Sequence, residues 1–364
     1  MIYAVVSDIH AHAWSLYSHT NSAGVNSRLA TTLGELKRAA ETLQAAGGNT
    51  MFVAGDIFHT RGTLDPEVLN PTRQAFDEIL GMGIDIYAIP GNHDLKSNDS
   101  KELSSAIQNL AQITVEGREF KVFNVVSDRG IDGELFAFVP WRYTQEALLE
   151  DLEKITRGHG KAACAKMDVF IHAGIDGVIS GMPAGGLTDA KLAAFGFRRI
   201  FAGHYHNHVV FPGEKVISIG ATTHHNWGDV GTRAGFLIVD TDADTVTFHD
   251  TLAPKFIDVS GMDELEMSVE AKDAYVRFRG PAMTQADVNE FRDQLKKWGA
   301  LGVSIEVPKV ATATRTTAPA KGLTLEQSVE KFVTDTPPVG VTIEEVTKRA
   351  LDHLADARVV YEEA

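Results

Sequence analysis

The sequence predicts a layered α/β fold, and three observations predict it. Short apolar runs alternate with helix-period stretches over the first two-thirds of the chain. Five of those runs stop abruptly in Asp, His or Asn, the placement expected where strand ends build a site. At 364 residues and 39.5 kDa the chain can form one large domain plus a smaller one.

In chain order, strands are expected at residues 3–6, 50–54, 85–89, 121–126, 135–139, 169–172, 199–202 and 216–219. Apolar residues at helical spacing place helices at 29–46 and 71–82, and a hairpin at 235–240 and 245–251 closes the region. Alternation alone reads the sheet as doubly wound. After about Pro254 the pattern changes to a small β-α-β unit: a strand at 275–280, a helix at 284–298 capped by Thr284 with Asp287 at its third position, and a strand at 302–307. The stretch 311–321, "ATATRTTAPAK", has few large apolar residues and reads as a linker. Two helices follow, at 324–333 and 342–354, split by Pro337-Pro338.

Composition excludes several classes. A net charge of −15 gives no support to bulk electrostatic binding of nucleic acid. The single cysteine, Cys164, rules out an intramolecular disulfide and fits a reducing interior. No apolar segment approaches the ~18 residues of a membrane span, and the first eight residues read as a strand, not a signal peptide. A cytoplasmic protein without a membrane partner is expected.

The five strand ends carry the chemistry. They are Asp8-Ile9-His10, Gly55-Asp56 followed by Ile57-Phe58-His59, Gly91-Asn92-His93-Asp94 in "IPGNHDL", His172 in "FIHAGI", and Gly203-His204-Tyr205-His206. Residues i and i+2 of an extended segment face the same way, so Asp8 with His10, or His204 with His206, can grip one ion. Singly, each is equally well a turn former or a solvated side chain, and the glycines can simply end strands. Five coincident clusters are hard to assign to chance. Mixed Asp, His and Asn donors without thiolates suit Mn²⁺, Fe²⁺ or Zn²⁺ at a catalytic centre. Two ions about 3.5–4 Å apart need a shared carboxylate, and they activate a bridging water while neutralising a phosphoryl group. Asp56 is the expected bridge.

This ordered set resembles the calcineurin-like metallophosphoesterases over roughly residues 1–250. The resemblance replaces the doubly wound sheet with a four-layer fold, a two-layer β-sandwich flanked by helices, with a dinuclear centre at one edge. It implies that Asp8, His10, Asp56 and His206 hold one metal, and Asp56, Asn92, His172 and His204 the other. His93 is then left as general acid or electrostatic stabiliser for the leaving oxygen, and Asp94 is expected to orient its imidazole. The sequence departs from the family after His10, where Ala11-His12 stand in place of the usual glycine; that bears on the loop, not the ligands.

The variant "AGDIFH" resembles the Mre-type and SbcD-type DNA repair nucleases, in which the final histidine, here His59, helps place the scissile phosphate; a polar loop residue is the plainer reading. The resemblance implies a Mn²⁺-dependent exo- and endonuclease with two divalent ions, acting on DNA in recombination and double-strand break repair. It divides the chain into a nuclease domain (1–254), a capping domain (255–308), a linker (309–322) and a helical pair (323–364). In such nucleases the pair, here 323–355, docks on an SMC-like coiled-coil ATPase, within an assembly containing a homodimer. On that expectation Leu325, Val329, Phe332 and Val333 line one face and Ile343, Val346, Ala350 and Leu354 another; a hairpin folded on its own domain is the plainer alternative. The compact length resembles versions carried by bacteriophages and bacteria. Arg61, Arg198 and Arg233 are candidate DNA contacts, each of which is otherwise an ordinary surface arginine, and Arg199 stands beside them. The loop at 220–231, with His224, His225 and Trp227, is expected to shape substrate access, and the loop at 15–26 to touch DNA or a second subunit. The alternative is a small-molecule phosphodiesterase or phosphatase with the same chemistry.

Overall fold

The computed structural model describes residues 1–96, 106–112, 114–115, 117–308, 324–337 and 341–362. The linker expected at 309–322 lies outside them. The chain divides into two compact units, Met1–Pro308 and Lys309–Ala364.

In the first unit two mixed sheets stack face to face. The seven-stranded sheet runs Thr245–Asp250, Gly235–Asp240, Ile2–Val6, Thr50–Val53, Asp85–Ala88, Arg118–Val122, Thr114–Val115. The six-stranded sheet runs Val209–Val210, Val216–Ser218, Arg199–Gly203, Met167–His172, Glu134–Val139, Ser127–Ile131. The first strand shows why its sequence is apolar throughout. Tyr3 and Val5 belong to the core between the sheets, while Ala4 and Val6 belong to the core under the outer helices. Both faces are buried, so the run does not alternate. Between the sheets, Phe52, Phe136, Phe170 and Phe201 surround Tyr3, with Tyr3–Phe52 edge-on at 5.1 Å and Phe52–Phe170 stacked at 4.4 Å. Losing one such ring costs roughly 3–5 kcal/mol.

Helices complete the four layers. Ser27–Ala45 is capped by Asn26 and buries Leu29, Leu33, Leu36, Ala40 and Leu43 against the larger sheet. Pro66–Gly81 lies beside it and starts five residues before the expected 71, because the Asp65 side chain accepts from the Glu67 amide and Pro66 is preset for the first turn. Gln145–His159 covers the smaller sheet with Leu148, Leu152 and Ile155, a stripe too narrow among charged residues to read from sequence. The strand expected at 121–126 instead occupies Arg118–Val122, and Ser127–Ile131 forms an edge strand whose polar sequence hid it.

A three-stranded parallel sheet, Phe256–Asp258, Tyr275–Arg279, Gly302–Glu306, follows within the same unit. It contains one more strand and one more helix, Glu264–Glu270, than the expected β-α-β unit. Its helix Gln285–Lys297 has the reciprocal Thr284–Asp287 cap. In the second unit, helices Leu325–Asp335 and Ile343–Glu362 pack together, burying Val333 and leaving Leu325 and Phe332 exposed. No helix among the described residues is long and apolar enough to cross a membrane.

Candidate metal centre

All five clusters meet where the strands Ile2–Val6, Thr50–Val53, Asp85–Ala88, Met167–His172 and Arg199–Gly203 end. The turns are tight enough to strain the backbone. Asp8, His10 and Asp56 have φ of +49°, +45° and +52°, and His204 has +104°. Each such residue costs of order 1–3 kcal/mol, and strain of this kind is characteristic of functional sites. Two glycines are dictated by what leans on them. A Cβ on Gly91 would sit 2.2 Å from Asp56 Oδ1, and one on Gly203 would sit 2.1 Å from Ser7 Oγ and 2.4 Å from the Ala54 carbonyl. These glycines do more than end strands.

Among the described residues three donor groups result, the ligand atoms within each lying inside 4.8 Å: Asp8, His10 and His206; Asp56, His172 and His204; and, sharing His10 with the first, His10, His59 and His93. The two that contain a carboxylate are the candidate ion sites. One oxygen faces both groups: Asp56 Oδ2 is 3.6 Å from His10 Nε2 and 3.3 Å from His172 Nε2. Asn92 Oδ1 joins the second group, 3.2 Å from His172 Nε2 and 3.0 Å from His204 Nδ1. His206 Nε2 lies 3.2 Å from His10 Nε2.

The surroundings fit metal ligation. A ligating histidine donates its other N–H to a carboxylate or carbonyl. His172 Nδ1 donates to the Ala54 carbonyl at 2.7 Å, and His206 Nδ1 contacts Asp229 Oδ1 at 2.7 Å. Burial, reinforced by the charge of His172, drives His204 down to about 3, and burial holds His10 well below the usual imidazole value. Both are therefore neutral, the form that binds metal. Burial works against charge on Asp56, but the neighbouring His172 charge prevails and keeps its carboxylate ionised. Burial likewise opposes protonation of His172, and Asp56 overrides it, raising His172 to about 9, so this ring would release a proton on taking up an ion. The donor set is nitrogen and oxygen only, which suits a divalent ion of the first transition row.

The sequence profile of the calcineurin-like phosphoesterases matches residues 1–208, more than half the chain. The chain belongs to this family. Exonuclease subunit 1 of Enterobacteria phage T4 is 26% identical over 215 residues, 58% of this chain and 59% of that protein, so only part of the relative's length is matched. Among solved structures, a dimetal phosphatase from Danio rerio is 11% identical with a TM-score of 0.41, covering 65% of this chain and 91% of its own. A Thermus thermophilus protein is also 11% identical, with a TM-score of 0.42 over 69% of this chain and 98% of its own. Calcineurin-like phosphoesterases use divalent metals, and the two donor groups stand where this one would bind them.

Around these groups the structure rearranges several expected roles. His93 stands beside the centre with its amide on Asp56 Oδ1 at 2.8 Å. Its Nδ1 donates to the His59 carbonyl at 2.6 Å, which leaves Nε2 for chemistry. Asp94 does not orient that ring. Its oxygens accept from the amides of Ile57, Phe58 and Gly91, so it ties the Asp56 turn to the Asn92 turn. Burial, reinforced by the Asp56 charge, raises its pKa to about 7. His59 stacks on His93 at 5.3 Å and sets its Nδ1 3.3 Å from His10 Nδ1. Where the family glycine is missing, buried Ala11 bridges to Phe58, so a small side chain suffices.

The arginine candidates separate. Arg198 is paired with Glu134 and Asp168, both at 2.7 Å, at the start of its strand; the centre is at the other end. Neighbouring Arg199 pairs with Asp244. Arg198 is therefore engaged in a structural ion-pair network away from the centre. Arg233 is exposed over Phe248, and Arg61 has a buried Nε without a hydrogen-bond partner among the described residues.

The 220–231 loop packs against the centre, with the His225 ring 5.1 Å from His10 and 5.2 Å from His206. His225 Nε2 donates to the Asp8 carbonyl at 2.9 Å, Asp229 braces His206, and His224 accepts from the Phe256 amide. Trp227 packs edge-on against Phe256 at 4.8 Å. The loop supports the centre from behind and joins it to the three-stranded sheet. Tyr17, in the 15–26 loop, likewise stacks on Tyr275 at 5.1 Å. Asp229 was not legible as functional, since "GDVG" looks like any turn; the only signal was its distance of a short loop from two histidines.

Proposed function

We propose that the chain is a Mn²⁺-dependent DNA exo- and endonuclease. The observation that carries it is the convergence of seven oxygen and nitrogen donors with His93 at their edge. Asp8, His10, Asp56 and His206 would hold one ion and Asp56, Asn92, His172 and His204 the other, with Asp56 Oδ2 shared. Bound there, such ions supply charge neutralisation of the phosphoryl group and activation of water. His93 would deliver a proton from Nε2 to the leaving oxygen, its Nδ1–H pinned by the His59 carbonyl. His59 would place the scissile phosphate beside it. DNA is favoured as substrate by that extra histidine and by the partial likeness to a protein described as an exonuclease subunit.

The same reading assigns residues 1–254 to catalysis, 255–308 to a cap and the helix pair to an SMC-like ATPase in a homodimeric repair complex in the cytoplasm. Exposed Leu325 and Phe332, seven residues apart on one helix, support a docking role. Incubating the purified protein with linear duplex and single-stranded DNA in Mn²⁺, alone and with its ATPase, tests it. Absence of cleavage in every combination sinks the nuclease. A small-molecule phosphodiesterase is the second reading, favoured by the −15 charge and the withdrawal of Arg198 from the site. Removing residues 309–364 separates the two: a small-molecule enzyme keeps full activity, whereas the nuclease loses its partner.

A further inference from the structure

One cavity opens directly on the candidate centre. It encloses about 220 Å³ and is lined by Trp141, Tyr205, Gln145 and Gly174 together with His172 and His204. Pockets for drug-sized ligands run to roughly 300–1,000 Å³, so this one suits a single planar ring system. Of its three aromatic side chains, Trp141, Tyr143 and Tyr205, the first and last flank His204, with ring centroids 5.1 Å from the imidazole in both cases. Both are anchored. The Trp141 amide donates to the Pro90 carbonyl at 3.1 Å, two residues before Asn92. Tyr205 lies between His204 and His206 in sequence, and its ring covers Gly174 so closely that a Cβ there would come within 2.5 Å of Cζ. Polar groups edge the opening: Thr144, Gln145 and Arg142, the last held by Asp151 at 2.6 Å.

We infer that this cavity is a nucleobase subsite, in which Trp141 and Tyr205 stack on the base adjoining the phosphate under attack. The inference rests on the nuclease reading and extends it. Every base has a π-face, so stacking walls accept any sequence, whereas the polar rim can meet a base edge. The cavity borders the Asp56–His172–His204 group, whereas His59 and His93 cluster with His10, so base and proton donor are assigned to different sides of the centre. A base in the cavity has left its stack, which favours frayed ends and single strands over intact duplex. The competing role for these rings is to keep His204 dry, and that role is indifferent to the base.

The test uses the full chain with Mn²⁺ and single-stranded oligonucleotides carrying either thymidine or an abasic residue at each position flanking the cleaved bond. An abasic residue at one flanking position is expected to lower kcat/KM by about fivefold to a hundredfold, the range for loss of one base–aromatic stack. Trp141→Ala should lower kcat/KM on the thymidine substrate and erase the difference, and Trp141→Phe should restore it. If Trp141→Ala does not fold, Tyr205→Leu serves, and the wild-type comparison needs no variant. Equal cleavage of thymidine and abasic substrates by the wild type overturns the subsite and leaves the nuclease standing. No cleavage of either, alone or with the ATPase, overturns the subsite, and if duplex DNA is also left intact the nuclease reading falls with it.

Discussion

Asp229 provides the sharpest test of the ligand assignment, because it touches His206 without belonging to either donor group. Its Oδ1 lies 2.7 Å from His206 Nδ1, and its Oδ2 accepts from the His225 amide at 2.6 Å and the Asn226 amide at 3.2 Å. Burial works against its charge, but the bond and charge of His206 dominate and hold it well below the usual carboxylate range. Asp229→Asn keeps the shape and removes the charge. One end of the amide then becomes a donor, and with His206 Nε2 engaged by an ion Nδ1 carries the proton, so both faces of residue 229 meet donors and either orientation sets N–H against N–H. Ion binding through His206 Nε2 thus entails the loss of one hydrogen bond to a charged acceptor, about 1.5–3 kcal/mol. That matches the tenfold to hundredfold loss typical when the partner of a metal-binding histidine is removed. Titrating Mn²⁺ into metal-free protein by calorimetry should show one of two sites weakened by that factor, and excess Mn²⁺ should restore most of the activity. Two sites of unchanged affinity would refute the assignment of His206 as a ligand.

Other expectations follow from the same geometry. His93→Ala should keep both ions bound and lower cleavage by about 10²- to 10⁴-fold; a parallel fall in metal content would place His93 among the ligands. Gly203→Ala drives a Cβ into Ser7 Oγ and the Ala54 carbonyl that anchors His172, so it should cost about 1–3 kcal/mol in denaturant unfolding and weaken metal binding. Arg198→Ala leaves fully buried Asp168 with Tyr3 as its side-chain partner among the described residues and should destabilise the fold by about 3–5 kcal/mol while DNA affinity stays the same; weaker DNA binding at unchanged stability would make Arg198 a DNA contact.

The parts of the fold legible from sequence are those buried on both faces. The strands at Ile2–Val6, Thr50–Val53 and Met167–His172 announce themselves because each side chain meets a core. Ser127–Ile131 lies at a sheet edge with one wet face, and its sequence carries no such signal. The same contrast governs the site. Donor residues were legible because each follows an apolar run and because i and i+2 share a side. What supports them was not, because it depends on which loops meet in space. Asp94 is the instructive case. Adjacency to His93 suggested a dyad, but consecutive residues on a tight turn diverge, and its carboxylate is taken up by amides 36 and 37 residues away.

That distribution says how the centre tolerates its own strain. Four ligand-type residues sit at positive φ, a burden of several kcal/mol if each costs of order 1–3. The groups that offset it are those the sequence concealed: Asp94 tying two turns together, His225 holding the Asp8 carbonyl, Asp229 fixing His206, and Ala54 receiving both Ser7 and His172. Each bond joins a different pair of strand ends. Strain at one turn is therefore shared with its neighbours, and the donor atoms are held near one another by the protein's own hydrogen bonds. A centre built this way should be largely preorganised, so its donor geometry should depend on these supporting residues as much as on the ligands themselves.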